Sequence, residues 1–400
     1  MDTREERGRA IAEGAALQRR GDGPYWLVHS QSREAKYLVD EENRTCTCPD
    51  YEAHQQPCKH VFAVQYTIQR ETNERGETTV TETVRVTYAQ DWPAYNAAQT
   101  HEKEHVATLL ADLCSTIDNG AQKHGRPRLP LSDGVFSAVM KVYSATSGRR
   151  AMTDMREYAA KGFISKALCY NSVFNVLENK AVTPILRRMI EESAAPLKAV
   201  ETDFAVDSSG FSTSTYARWF SAKYGREMAE NKWLKAHVMV GVKTNIIASV
   251  EITDAYTHDT TQFPALVDRA ASTFAIARVS ADKAYSSRAN HLAVEHVGAE
   301  PYIAFKRNAL AYGSDADVWN RMHAFFVLNR EEFLRHYHQR SNVETTFSMV
   351  KAKFGTKVRA KTETAQVNEI LCKLLCHNLC CLVHATYELG IEATFWKTVA

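Results

Sequence analysis

Phe204-Ala205-Val206-Asp207-Ser208-Ser209-Gly210 is a short apolar run that ends in an acid and a small-residue turn, and it marks where the chemistry of this 400-residue chain changes. Such a run bounded by turn residues predicts a strand. Downstream, His237 to Lys243 alternates Val238, Val240 and Val242 with other residues, and Ile246 to Ile252 follows the two-residue turn Thr244-Asn245, which predicts a β-meander. Phe263, Leu266, Val267 and Ala270 then fall on one helical face. Ile276 to Ala281 predicts a fourth strand running into Asp282-Lys283-Ala284-Tyr285. A helix over 289–297, a strand from Pro301 to Lys306 and helix over 318–354 complete the order. Three strands, helix, strand, helix, strand, helix predicts an α/β architecture with a mixed five-stranded sheet and flanking helices.

In Tyr337-His-Gln-Arg-Ser-Asn-Val-Glu-Thr-Thr-Phe-Ser-Met-Val-Lys351, read as one helix, Tyr337, Arg340, Glu344 and Lys351 lie within an arc of about 60°. Val343, Phe347, Val350 and Phe354 form the adjoining apolar stripe, and Gly355 is the expected stop. A carboxylate beside Arg and Lys suits a divalent metal held next to a nucleic-acid phosphate. Two further acids, Asp207 and Asp282, stand at strand ends. An aspartate that ends a strand is ordinarily a turn or cap residue. Asp203, on the same strand face, rivals Asp207, and His258-Asp259 is a weaker rival, better explained as the cap of a helix starting near Thr260.

The element order is that of the ribonuclease-H-like fold, and the Y-(2)-R-(3)-E-(6)-K spacing resembles the signature of DDE transposases of bacterial insertion sequences. That resemblance covers about residues 200–390. It implies Asp207, Asp282 and Glu344 as catalytic ligands of Mg²⁺ or Mn²⁺, with Tyr337, Arg340 and Lys351 holding phosphates of the terminal nucleotides. It further implies cleavage of double-stranded DNA at terminal inverted repeats, strand transfer into target DNA, and action as a homodimer. Only 62 residues separate the second aspartate from the glutamate, little room for the β-rich insertion of some relatives. Trp319 is a positional candidate for holding a base and is better read as a core residue. The rival readings are another ribonuclease-H-like nuclease and a domesticated, non-catalytic DNA-binding regulator.

Near the N-terminus, Cys46-Thr-Cys48-Pro-Asp is followed by Cys58-Lys-His60. Three thiols and an imidazole in two close pairs fit a tetrahedral structural Zn²⁺ site. The stretch resembles the SWIM zinc finger, C-x-C-x(n)-C-x-H, which implies DNA or protein binding. The expected organisation is a finger over 20–70, a linker or edge hairpin over 71–91, a helical DNA-binding region over 92–200 and the α/β domain over 201–390.

A formal charge of +2 says little about partners, but residues 330–361 carry eight Lys/Arg against three Glu, a local excess that attracts phosphate. Nine cysteines with no apolar leader and no uninterrupted apolar run of 18 predict a reducing, cytoplasmic setting, nucleoid-associated for a DNA-acting protein, and no membrane partner. Gly125-Arg126-Pro127 reads as a basic loop rather than a minor-groove hook. Short helices around 136–143, 153–158 and 172–178 fit a helix-turn-helix-like region. Cys372, Cys376 and Cys380, set among leucines, read as buried structural thiols.

Overall fold

The computed structural model describes residues 3–14, 17–20, 24–30, 36–72, 78–82, 91–120, 124, 128–213, 233–307, 309–310 and 317–395. It divides into two compact units, Met1–Asp91 and Trp92–Ala400. The Gly125-Arg126-Pro127 stretch lies outside the described residues.

In the first unit, strands β1 (Leu17–Arg19), β2 (Tyr25–His29), β3 (Lys36–Asp40) and β4 (Thr45–Cys46) form an antiparallel sheet in sequence order. Trp26, Val28 and Val39 are fully buried beneath helices Thr3–Gly14 and Lys59–Thr67. Strands β5 (Ile68–Thr72) and β6 (Thr78–Glu82) pair as a separate hairpin.

In the second unit, β7 (Asp203–Ser212), β8 (Trp233–Gly241), β9 (Ile247–Asp254), β10 (Arg278–Ala281) and β11 (Glu300–Ile303) form a five-stranded mixed sheet in the order β11-β10-β7-β8-β9. The first and fourth of these strands are parallel neighbours. Side chains alternate across a strand, so each face has its own core. Ala205, Phe211, Val238 and Val250 face the Glu344 helix (Ser341–Phe354), the C-terminal helix (Glu363–Leu389) and the helices between residues 92 and 194. Phe204, Val206, Met239 and Ala248 face helices Phe263–Ala271 and Arg288–His296.

The C-terminal helix is long and apolar enough to cross a membrane by length and composition, yet 83% of its most apolar window is buried inside the protein. Its polar residues have exact partners. Asn378 accepts from the Ile247 amide at 2.9 Å and donates to the Ile247 carbonyl at 2.8 Å and Ser193 Oγ at 3.0 Å, which ties the helix to β9 without leaving a buried amide unpaired. Cys372, Cys376, Cys380 and Cys381 are all buried here, and burial pushes each thiol up, as expected of structural residues.

Three local expectations need correction. Asp207 does not end its strand, because β7 continues to Ser212 by pairing with Trp233–His237 of β8. The stretch from Tyr337 to Lys351 is not one helix. Helix Arg330–Tyr337 passes through a 3₁₀ turn, His338–Arg340, into Ser341–Phe354, so Tyr337 and Glu344 belong to different segments. Asp259 does not cap a helix: it opens a 3₁₀ turn and pairs with Lys235 Nζ at 2.9 Å, and the helix proper starts at Phe263. Gly355, at φ 84°, ends the Glu344 helix as its sequence predicts.

Candidate functional site

The register of β7 and β10 runs from Arg278 opposite Asp203 to Ala281 opposite Val206. One further step brings Asp282 level with Asp207. Asp207 shares its strand face with Ala205, Ser209 and Phe211, the face covered by the Glu344 helix. That helix is pinned at its start: Asn342 Nδ2 donates to the Val242 carbonyl, and Thr346 Oγ1 donates to Asn245 Oδ1 at 3.2 Å. Its apolar residues Val343, Phe347, Val350 and Phe354 are buried. Glu344, in its first turn, is thereby carried to the aspartates.

The turn under the helix start has its own support. Fully buried Glu201 accepts from the Thr244 hydroxyl at 2.7 Å and from the Thr244 and Lys243 amides. A β-carbon on Gly241 would lie 2.5 Å from the Glu201 carboxyl carbon, so a larger residue there would displace the Glu201 carboxylate. An isolated buried glutamate upstream of a strand carries no sequence pattern, and reading the sequence alone missed it.

Burial pushes the Asp207 carboxyl up, and the charges of Asp282 and Glu344 push it further. Three acids therefore crowd one face with unbalanced negative charge. Their carboxylates do not converge on a single point: among the described residues, the group of metal-type ligand atoms lying within 4.8 Å of one another is Cys46, Cys48, Cys58 and His60. Glu344 instead pairs with Arg340 at 3.2 Å, with 61% of its side chain exposed. An exposed pair of this kind is worth at most about 1 kcal/mol, so it yields easily to a stronger ligand. Asp282 accepts from the Lys283 amide at 2.7 Å and from Tyr337 Oη at 3.3 Å. Excess negative charge and hard oxygen donors together fit a divalent cation.

The cations flank this group. The Arg340 guanidinium stands 5.2 Å from the Tyr337 ring centroid. Lys351 Nζ donates to Ser209 Oγ at 2.6 Å and lies 5.3 Å from the Phe211 ring, and burial lowers its pKa. Asp203 is separated from the site by its ion pair with Arg278 at 3.1 Å. Trp319 is 8% exposed, packs on Phe305 and donates from Nε1 to the Leu310 carbonyl at 3.1 Å, as a core residue does.

In the first unit, Cys46, Cys48, Cys58 and His60 are all buried, and His60 Nδ1 lies 3.8 Å from both Cys46 and Cys58 sulfurs. The Tyr51 amide donates to Cys48 Sγ at 3.4 Å. Hydrogen bonding from Cys46, then from His60, draws the Cys58 thiol down from its ordinary value. Three thiols and Nδ1 closing on a centre fit Zn²⁺ with no position left for water. The Transposase DDE domain family matches residues 198–379, and the SWIM zinc finger family matches residues 32–69. The chain carries a transposase DDE domain and a SWIM zinc finger. No curated protein matches it. The DDE match spans all five strands of the mixed sheet and both the aspartates and the glutamate of the crowded face, and the SWIM match spans all four Cys/His ligands.

Proposed function

We propose that this protein cleaves DNA at the ends of its own element and transfers the freed strand to a target, using Asp207, Asp282 and Glu344 as ligands for two Mg²⁺ ions. The observation that carries this reading is the register that sets Asp282 beside Asp207, under a helix that delivers Glu344 to the same face. Bound there, Mg²⁺ would supply an activated oxygen nucleophile and charge neutralisation at the leaving oxygen.

The remaining roles belong to the chain. The Lys283 amide and Tyr337 Oη both donate to Asp282 Oδ1, which orients the carboxylate and leaves Oδ2 as the oxygen that would meet a metal. Arg340 holds Glu344 through a weak, exposed pair, so the carboxylate would be free to serve as a ligand and the guanidinium to meet a DNA phosphate. Lys351, held by Ser209, fixes a second phosphate, and such contacts position the strand without reading its bases. The helices between residues 92 and 200 form the DNA-binding region, the SWIM module is held together by Zn²⁺, and the active form is a homodimer with one copy at each DNA end. Incubating the protein with DNA flanking its own gene and Mg²⁺, and mapping the nicks, tests the reading. Nicks at the element ends support it. Their absence, with the DNA demonstrably bound, overturns it.

A further inference from the structure

A second cavity lies away from the carboxylates, about 400 Å³ in volume, between the helix Leu131–Tyr143, the helix Tyr170–Glu178 and the segment after Gly355. Strand β7 leads to it. Ser209 holds Lys351, the Ser212 amide and carbonyl bond to Thr356 and Val358, and the next residue is Arg359 on the cavity wall. From Asp207 to Ser212 is about 17 Å at 3.3 Å per residue.

The lining combines a flat apolar surface with cations. Phe174 is exposed on one side and lies over Gly148, where a β-carbon would stand 2.5 Å from Cζ of the ring. Any larger residue at 148 would displace the ring. Phe174 in turn packs edge-on to Tyr170, and the Arg149 guanidinium lies 5.1 Å from the Tyr170 centroid. Lys141, Arg359 and Lys361 also line the cavity. Lys141 is 6% exposed, and no hydrogen bond or ion pair to its ammonium forms among the described residues. The Thr146 hydroxyl, on the same wall, is buried with no hydrogen-bond partner among the described residues. A buried hydroxyl left open on a wall that also carries cations suits a polar, anionic occupant.

Resting on the DNA-cleavage reading above, we infer that this cavity is a nucleotide subsite, which takes one unpaired nucleotide of the DNA substrate with its base on Phe174 and its phosphate toward Lys141, Arg359 and Lys361. Base stacking on an aromatic face beside cations is how sequence-tolerant single-strand binding works. Two carboxylates also line the cavity. Glu369 is committed to the Arg359 and Ala360 amides at 2.8–3.0 Å. Glu178 is exposed and leaves an acceptor for an exocyclic amino group, which adenine and cytosine carry and thymine lacks.

The test uses the full-length protein in EDTA, so that binding is read without cleavage. The probes are a 20-base-pair duplex with blunt ends and the same duplex with a five-nucleotide single-stranded tail, scanned with 2-aminopurine. The tail should raise affinity by about tenfold, the range of one stacked base, and one tail position should change its 2-aminopurine fluorescence. Phe174→Ala and Gly148→Val should each abolish the tail advantage while blunt-duplex affinity stays within about twofold, and Phe174→Tyr should retain it. Equal affinity of the wild type for both probes overturns the inference. So does full competition by a free deoxynucleotide at tail concentrations, which would assign the cavity to a soluble ligand. Asp207→Asn should keep the tail advantage, which separates the two readings. A protein that nicks its element ends without a tail advantage loses only the subsite, and one with the advantage that never nicks loses the cleavage reading.

Discussion

The two candidate metal sites of this chain are built on opposite principles. The Cys46, Cys48, Cys58 and His60 site draws all its ligands from 15 consecutive residues, buries every one, and brings their ligand atoms within 4.8 Å of each other. The Asp207, Asp282 and Glu344 site draws on a strand, the residue after a second strand and a helix start, leaves Glu344 exposed, and lets Arg340 hold that glutamate. A closed shell of soft ligands holds its metal for folding, whereas an open set of hard oxygens exchanges metal, water and phosphate. The difference teaches that ligands local in sequence close into a preformed shell, whereas ligands drawn from separate elements stay apart and leave room between them.

Breaking the closed site should have the largest effect. Zinc contributes on the order of 10–16 kcal/mol to modules of this kind, so Cys58→Ser should strip the zinc and unfold Met1–Asp91. The unit from Trp92 has its own cores and should keep its thermal transition. Elemental analysis with calorimetry checks this, and loss of both transitions would join what the comparison separates. Asp282→Asn should cost about 4 kcal/mol of transition-state stabilisation, or about a thousandfold in single-turnover nicking, with DNA binding retained. Activity within tenfold of wild type would remove Asp282 from the site.

Acid should separate the units by mechanism. Burial holds His291 and His377 down to about 4, below the ordinary 6.5. The unfolded chain therefore binds protons that the folded chain refuses between these values, so stability is complete above pH 6.5 and falls as the pH drops toward 4. Each histidine contributes about 3 kcal/mol at most. Thermal melts of the second unit should show this slope with zinc present or chelated, and a flat profile over that range would refute it. The smallest effect is expected of Lys351→Ala, about tenfold weaker end binding with a salt slope reduced by about one. An unchanged slope in a salt titration would deny it a phosphate contact.

Legibility followed the same division. The zinc site could be read from spacing because its ligands are local. The five strands and the Val343, Phe347, Val350, Phe354 stripe were legible because alternation and helical period report burial directly. Asp207 was singled out for ending a strand that in fact continues, because Ser208-Ser209-Gly210 looks like a turn and its strand character comes from pairing with distant β8. The helix break at His338–Arg340 left no proline or glycine to mark it. Glu201 under the Thr244 turn, and Glu102 bound to Lys353 and Tyr143, were invisible for the same reason: a buried acid is defined by partners far away in sequence.

The most direct test of the account is one chelation series on the wild-type, full-length protein, with zinc content and nicking of element-end DNA followed together. After brief EDTA treatment and gel filtration, the chain should retain about one zinc and show no nicking, and Mg²⁺ alone should restore nicking in full. Nicking that survives chelation, or that returns only when Zn²⁺ is added, would contradict the assignment of catalysis to the open carboxylates.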